Sequence, residues 1–371
     1  MDNILNKFDE TIEHLPLVAL NNQAKLLYLA YFTRELEEPT SVIVRGRSST
    51  GKSNLVKQIK KFLPKDTYEE ASGMTEKAII NLTDDIKLDK KTLIMGEFAG
   101  FKSEGGSPYL RQLLSEKEIS RLASVEGNRG DPYKTLKQQV VASFNVFMTT
   151  TESHIHEEDE NRFLPLNLPS DNDYINMVLH RQVEHNNFNK SADIDFTEFH
   201  EASKEFSQNI RPVRTDYMHD VVKKTNDKNK PRLIRDMQKV ISLIKAHTLL
   251  HINQREVLDN DTVISTLDDY EAIYSLMNSC FKTNERFISR DIEKIVRFVR
   301  DANKIGTYAD QNILQDLLDC SKTKICNLCK EAEELGLITN LNSNGKLSKY
   351  EFIKEYQVSN FFLPDPGEIA A

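Results

Sequence analysis

Residues 41–58 read SVIVRGRSSTGKSNLVKQ. A β-branched run, Val42, Ile43 and Val44, breaks at Gly46. Arg47, Ser48, Ser49, Thr50, Gly51, Lys52 and Ser53 follow, and an amphipathic helix then begins. G-x-x-x-x-G-K-S between a buried strand and a helix is the chemistry of phosphate binding. The two glycines let the backbone curl so that its N–H groups point inward at an anion, and the helix N-terminus adds partial positive charge. Lys52 would reach the β- and γ-phosphates, and Ser53 would hold Mg²⁺ through its hydroxyl. The pattern predicts a nucleoside triphosphate site.

Four further positions could complete that chemistry. Glu97 ends a second apolar run, KTLIM-G-E, whose strand is expected to pair beside the loop strand. Its carboxylate would polarise the attacking water and help hold the metal. Gly96 stands where an acid often precedes such a glutamate, which shifts metal holding toward Ser53 and water. Thr149, Thr150 and Thr151 end a third strand, expected between the loop strand and the neighbour carrying Glu97. Thr150 is singled out to orient the same water. Arg162, between the acidic EEDEN and the short strand LPLNL, suits an arginine that faces outward and reaches a γ-phosphate on an adjacent subunit. Arg211, Arg214, Arg232 and Arg235 lie in a helical stretch, and Arg232 is favoured over Arg235 as the arginine touching the phosphates from above.

Two regions suit a polyanionic backbone. Glu118–Val141 reads as two strand-like arms around EGNRGDPY, with Arg121, Arg129, Lys134 and Lys137 outnumbering its acids. Near the C-terminus, Lys322, Lys324, Asn327 and Lys330 fall on or near the exposed face of a helix, and Lys346 lies in a following turn. Helices and then an antiparallel pair describe a winged helix-turn-helix. That unit is roughly neutral, which leaves a structural or protein-binding role open beside DNA binding. Cys326 and Cys329 form C-x-x-C on a helix without a second pair at zinc spacing, so packing thiols are expected. His154 and His156 are read as solvated loop.

Positioning these residues takes several elements. At 371 residues, two or three domains are expected, and 39% hydrophobic with 29% charged residues fits a helix-rich globular chain. The net charge of −8 excludes a surface coated in cations but not a locally basic channel. Four cysteines, none before Cys280, make no disulfide framework. With no signal-peptide pattern and no apolar run long enough to span a bilayer, a cytoplasmic location is expected. Buried strands alternating with helices predict an α/β fold, a largely parallel sheet between helical layers. Helices are also expected over Thr75–Thr83, Pro108–Glu116, Arg232–Gln254 and Asp268–Phe281. The expected division is a helical segment at 1–38, the core at 39–170, an α-helical lid at 171–285, the winged helix at 286–360 and a tail at 361–371.

The order GRSSTGKS, LIMGE, hairpin insert, FNVFMTTT, ENRFLPLNL and helical lid resembles an AAA+ ATPase. More narrowly, SVIVRGRSSTGKS, YLRQLLSEKEISR, TTTESHIHEEDENRFLPLNL and RLIRDMQKVISLIKAHTLLHINQRE resemble the helicase part of primase–helicase proteins of phages and mobile elements. That group is similar to minichromosome-maintenance helicases. The resemblance, over roughly residues 20–355, implies a P-loop NTPase core that uses ATP and Mg²⁺ and assembles as a homo-oligomer, a hexameric ring. It further implies single-stranded DNA in the pore, duplex at the winged helix, and a primase or polymerase as replication partner. No primase or zinc-finger region is expected within these residues. The competing readings are an ATP-controlled origin-binding, helicase-loader or defence-associated switch with little translocation, and a transcriptional regulator.

Overall fold

The computed structural model describes residues 4–72, 79, 88–97, 108–126, 133–151, 157–188, 194–225, 232–282, 290–334, 336–342, 348–353 and 362–369. The chain runs through α1 (Ile4–Ile12), α2 (Asn21–Phe32), β1 (Ser41–Arg45), α3 (Lys52–Ile59), β2 (Tyr68–Ala71) and β3 (Thr92–Glu97). It continues as α4 (Pro108–Glu116), β4 (Glu118–Glu126), β5 (Tyr133–Val141), β6 (Asn145–Thr150), α5 (Glu157–Glu160) and β7 (Phe163–Asn167).

Five of these strands form one sheet, in the order β2-β3-β6-β1-β7 with every pair parallel. Every residue of β1, β6 and β7 is buried. That is why these strands read as continuous apolar runs rather than alternating ones: helices cover both faces. On one face Ile43, Leu93, Met95, Val146 and Met148 pack with Leu110 and Leu113 of α4 and with Ile119. Elsewhere in the same unit α1 and α2 bring an aromatic core, with Phe8 stacked on Tyr28 at 4.6 Å between ring centroids and Phe62 at 4.6 Å from Phe8.

The sheet corrects one expectation. The strand of Glu97 does not pair with the loop strand; β6 lies between them, hydrogen-bonded to both, which is the place expected for the strand ending in Thr149–Thr151. A fifth strand, β2, was not foreseen, because YEEA is short, polar and only partly buried. The hairpin β4–β5 forms as expected, in register from Glu118↔Val141 to Glu126↔Tyr133. Of the expected helix at Thr75–Thr83, all but residue 79 lies outside the described residues.

Beyond the sheet come α6 (Asn172–Phe188), α7 (Thr197–Gln208), β8 (Val213–Arg214), α8 (Met218–Lys224), α9 (Arg232–Leu250), β9 (Val263–Ile264) and α10 (Leu267–Lys282). The two-residue strands β8 and β9 pair in parallel, a link the sequence did not suggest. Residues 1–151 and 155–280 form one compact unit together with 362–371.

The second unit, residues 152–154 and 281–361, holds α11 (Arg290–Lys304), α12 (Gln311–Leu318), α13 (Lys322–Glu334) and the antiparallel pair β10 (Ile338–Asn340) and β11 (Tyr350–Phe352). Ile292, Ile295, Val299, Leu314, Ile325 and Tyr350 fill its core. Asp310 caps α12 by accepting from the backbone N–H of Asn312 and Ile313 at 2.8 and 3.0 Å. Back in the first unit, the chain ends in α14 (Pro366–Ile369). No helix among the described residues is long and apolar enough to cross a membrane.

Candidate nucleotide-binding site

The glycine loop closes as its sequence requires. Gly51 precedes α3 with φ +89°, a left-handed conformation that glycine takes without strain. At Gly46 the constraint is space, since a Cβ there would lie 2.6 Å from Thr50 Oγ1. That hydroxyl donates to the Arg47 carbonyl at 2.8 Å and holds the curl. Lys52 is buried, and its ammonium donates to the Gly46 and Arg47 carbonyls, both at 2.8 Å. Arg47, Ser48, Ser49 and Ser53 are exposed around this curl. A cation at the centre of a backbone cradle, with a hydroxyl on the first turn of the next helix, is the donor set a magnesium-bound triphosphate needs.

Because all five strands run the same way, their carboxyl ends share one edge. Arg45, which leads into Gly46, lies across from Thr150, and Thr149 lies across from both Val44 and Glu97. The loop, the threonines and the acid are therefore side by side. The register sets Thr149, rather than the favoured Thr150, opposite Glu97. Thr150 is fully buried and Thr151 is exposed. A bulge between Met95 and Glu97 makes Gly96 the extra residue, and a Cβ on it would lie 3.2 Å from the Ser72 carbonyl oxygen. This is a physical reason for glycine where an acid was looked for.

Arg162 lies at the other end of the sheet. Phe163 pairs with Ser41 at the start of β1, while Asn167 pairs with Arg45 beside the loop. Four residues of strand separate these ends by about 13 Å. Arg162 is held firmly: its Nε donates to the Ser115 hydroxyl at 3.0 Å and to the Arg111 carbonyl at 3.3 Å, and its backbone N–H donates to the Asp159 carbonyl. Arg111 in turn grips the Asp159 carboxylate through two nitrogens.

The arginines at the start of α9 divide between two jobs. Arg232 donates to Glu160 at 3.0 Å and to Asp236 at 3.1 Å, contacts that do not include the loop it was expected to overlook. Arg235 is exposed and shares with Arg162, Ser115, Gln238 and Lys239 the lining of a cleft of about 160 Å³. Arg211 pairs with Asp261, and Arg214 with Asp216.

The nucleic-acid candidates are placed in part. On the hairpin, Arg121 is partly buried and Lys137 exposed. Arg129 and the side chain of Lys134 lie outside the described residues, as do Lys346, His154, His156 and the side chain of Glu97. On α13, Lys322, Lys324, Asn327 and Lys330 are all exposed, with Lys324 also paired to Asp291 at 2.7 Å. Cys329 is buried, and burial pushes its thiol up to about 11, which suits packing rather than thiolate chemistry.

Sequence reasoning missed a neighbour of the loop. A cavity of about 460 Å³ opens beside Ser49, Thr50 and Gly51, between Pro16–Leu20 and the α6 residues Tyr174, Val178 and Gln182. Its size suits a nucleoside. The Tyr174 hydroxyl donates to the Thr50 carbonyl at 2.9 Å and ties α6 to the loop. The lone proline and apolar residues of HLPLVAL show no periodicity, and α2 separates them from the loop strand, so nothing local signals this role.

No family model matches this sequence, and no curated protein does. Among solved structures the chain is similar to a full-length MCM homolog from Methanopyrus kandleri, at 15% identity and TM-score 0.40, over 76% of this chain and 59% of that one. It thus spans about three fifths of that protein. It is also similar to the RuvB Holliday junction branch migration motor of Thermotoga maritima, at 12% identity and TM-score 0.31, over 90% and 92% of the two chains. A third is the SCCmec type IV Cch active helicase, at 12% identity and TM-score 0.35, over 88% and 67%.

Proposed function

We propose that this chain is an ATP-driven DNA translocase or helicase of the AAA+ kind, working as a head-to-tail ring, hexameric by its resemblance, in replication of a phage or mobile element. The observation that carries the reading is the split of the site across the sheet. The loop, Thr149–Thr151 and Glu97 share one edge, and the clamped Arg162 sits at the opposite end. One copy holds both halves of a hydrolytic site but cannot join them. A second copy placed head to tail can.

In this reading the loop N–H groups and Lys52 hold the phosphates, and the cavity over Thr50 takes the nucleoside. Ser53 and Glu97 hold Mg²⁺, which when bound neutralises charge on the β- and γ-phosphates. Glu97 accepts a proton from the attacking water, and the threonines orient that water, Thr149 from directly across. Arg162, joined by Arg235 rather than Arg232, offsets charge on the γ-phosphate of the neighbouring copy. Lys137 and Arg121 of the hairpin would follow a single strand in the pore, and α13 of a C-terminal winged helix would meet duplex.

A second reading has one observation in its favour. Gly96, crowded by the Ser72 carbonyl, leaves the metal one carboxylate fewer, which suits an ATP-controlled switch with slow turnover. Steady-state ATPase with and without single-stranded DNA, beside Lys52→Ala and Glu97→Gln, separates the two. The motor reading expects stimulation by DNA that both variants lose, with Glu97→Gln reducing kcat by about 10²-fold or more while still binding nucleotide. Tight ATP binding with negligible turnover, indifferent to DNA, would replace the motor with the switch.

A further inference from the structure

The residues on both sides of Arg162 are each fastened by a cation. Arg111 holds the Asp159 carboxylate. The buried Lys239 ammonium donates to the carbonyls of Asn161 and Phe163, both at 3.0 Å, and so pins the residues on either side of Arg162. Glu160 accepts from Arg232 at 3.0 Å and from Arg45 at 3.2 Å through one oxygen. Such fastening is more than a solvated arginine requires, and it fits a side chain whose position matters to something outside the chain. Among these fasteners Glu160 has a second attachment of interest: Arg45 is the last residue of β1, joined directly to Gly46 of the phosphate loop.

We propose that Glu160 is a positioning residue for hydrolysis in the neighbouring copy. It fixes the segment carrying Arg162 for the next subunit's γ-phosphate, and through Arg45 it links that segment to the subunit's own nucleotide loop. Glu160 does not touch the nucleotide bound by its own chain. Its effect is exerted at the next site, so its loss is repaired by a different copy and not by more nucleotide. The inference rests on the reading of Arg162 as an arginine acting on a neighbour.

The test is a complementation series by steady-state ATPase on full-length chains. Lys52→Ala has a dead loop but an intact Arg162 face, whereas Glu160→Gln keeps its own loop but loses the ionic clamp. Alone, Glu160→Gln is expected to lose at least tenfold in kcat, with affinity for a fluorescent ADP analogue within twofold of the parent. In an equimolar mixture with Lys52→Ala, about one quarter of head-to-tail interfaces join an intact loop to an intact face, and turnover should return in proportion. Arg162→Ala mixed with Lys52→Ala is the control for the underlying reading. Lys239→Met, which frees the same residues from the other side, is expected to behave like Glu160→Gln and stands in for it if that variant does not fold. Recovery in the Arg162→Ala mixture but not in the Glu160→Gln mixture would overturn the proposal and assign Glu160 to its own loop through Arg45. Recovery in neither mixture would remove the trans reading of Arg162 and this inference with it. Full activity of Glu160→Gln alone would also overturn it.

Discussion

Two glycines that look alike in the sequence are fixed by different neighbours, and each makes a separate prediction. At Gly46 the obstacle is the Thr50 hydroxyl, 2.6 Å from where a Cβ would sit. Gly46→Ala must push Thr50 off the Arg47 carbonyl and open the curl that Lys52 caps. Nucleotide affinity should fall about tenfold or more, which corresponds to roughly 1.4 kcal/mol, measured by titration with a fluorescent ADP analogue. At Gly96 the obstacle is the Ser72 carbonyl at 3.2 Å, a backbone group that cannot rotate away. Restoring an acid with Gly96→Asp should therefore cost about 1–3 kcal/mol of stability from crowding, and should not raise kcat. A faster enzyme with an unchanged melting temperature would show that the bulge accommodates the acid. The loop residues were legible because the motif dictates its own geometry. The bulge was not, because the pairing that creates it depends on where β6 sits, and nothing in LIMGE records that.

At the scale of elements, α9 was readable from its period: Val240, Leu243 and Ile244 are fully buried on one face. What holds α9 to α10 was not readable, because it is polar. Asp269 is fully buried and accepts from His247 Nδ1 at 2.6 Å, from Arg255 through two nitrogens at 2.7 and 2.9 Å, and from the Thr266 backbone N–H at 2.9 Å. The last bond puts the Asp269 carboxylate on the backbone N–H of Thr266, the residue just before α10, and the Asp269 N–H donates back to the Thr266 carbonyl at 3.1 Å. His251 lies beside them, and His247, His251 and Asp269 form the metal-like cluster among the described residues. With Arg255 on both carboxylate oxygens, the cluster is better explained as a brace between two helices than as a metal centre. Burial works to raise the Asp269 carboxyl, but His247, Arg255 and the Thr266 N–H outweigh it and hold it well below the usual carboxylate range. A carboxyl depressed in the fold contributes stability that is complete above its unfolded value of about 3.9 and is lost as pH falls below that. Asp269→Asn should thus cost about 3 kcal/mol at pH 7, leaving Arg255 without its buried partner. The gap to the parent should narrow below about pH 4, as denaturant melts at pH 7 and pH 3.5 would reveal. A gap that stays constant with pH would mean the cluster is held by packing and not by charge.

Taken as a whole molecule, the chain does not end where its last clear element ends. The sequence after the hairpin of the second unit, FFLPDPGEIAA, has no period and two prolines, and it reads as a tail. Yet Phe362 and Leu363 are buried in the first unit, and the Tyr270 hydroxyl donates to the Pro364 carbonyl at 2.7 Å. The Lys224 ammonium also reaches the Glu368 carbonyl. In sequence terms the second unit is an excursion that leaves the first after residue 280 and returns to it by residue 362. Pattern reading cannot find such a return, since two aromatic or aliphatic residues in a proline-rich stretch carry no periodicity and their partners lie about ninety positions upstream. If the return is structural, truncation after residue 361 should remove the buried side chains of Phe362 and Leu363 and leave the Tyr270 hydroxyl without its acceptor. Two apolar side chains at about 1.5–3 kcal/mol each, reduced by the ordering of the segment, give an expected loss of roughly 3 kcal/mol. Tyr270→Phe removes only the hydrogen bond and should cost about 1 kcal/mol. Thermal melts of the truncated chain and of Tyr270→Phe beside the parent would decide it. A truncated chain that melts with the parent would make these last residues an ornament, and the first unit would then be complete by residue 280.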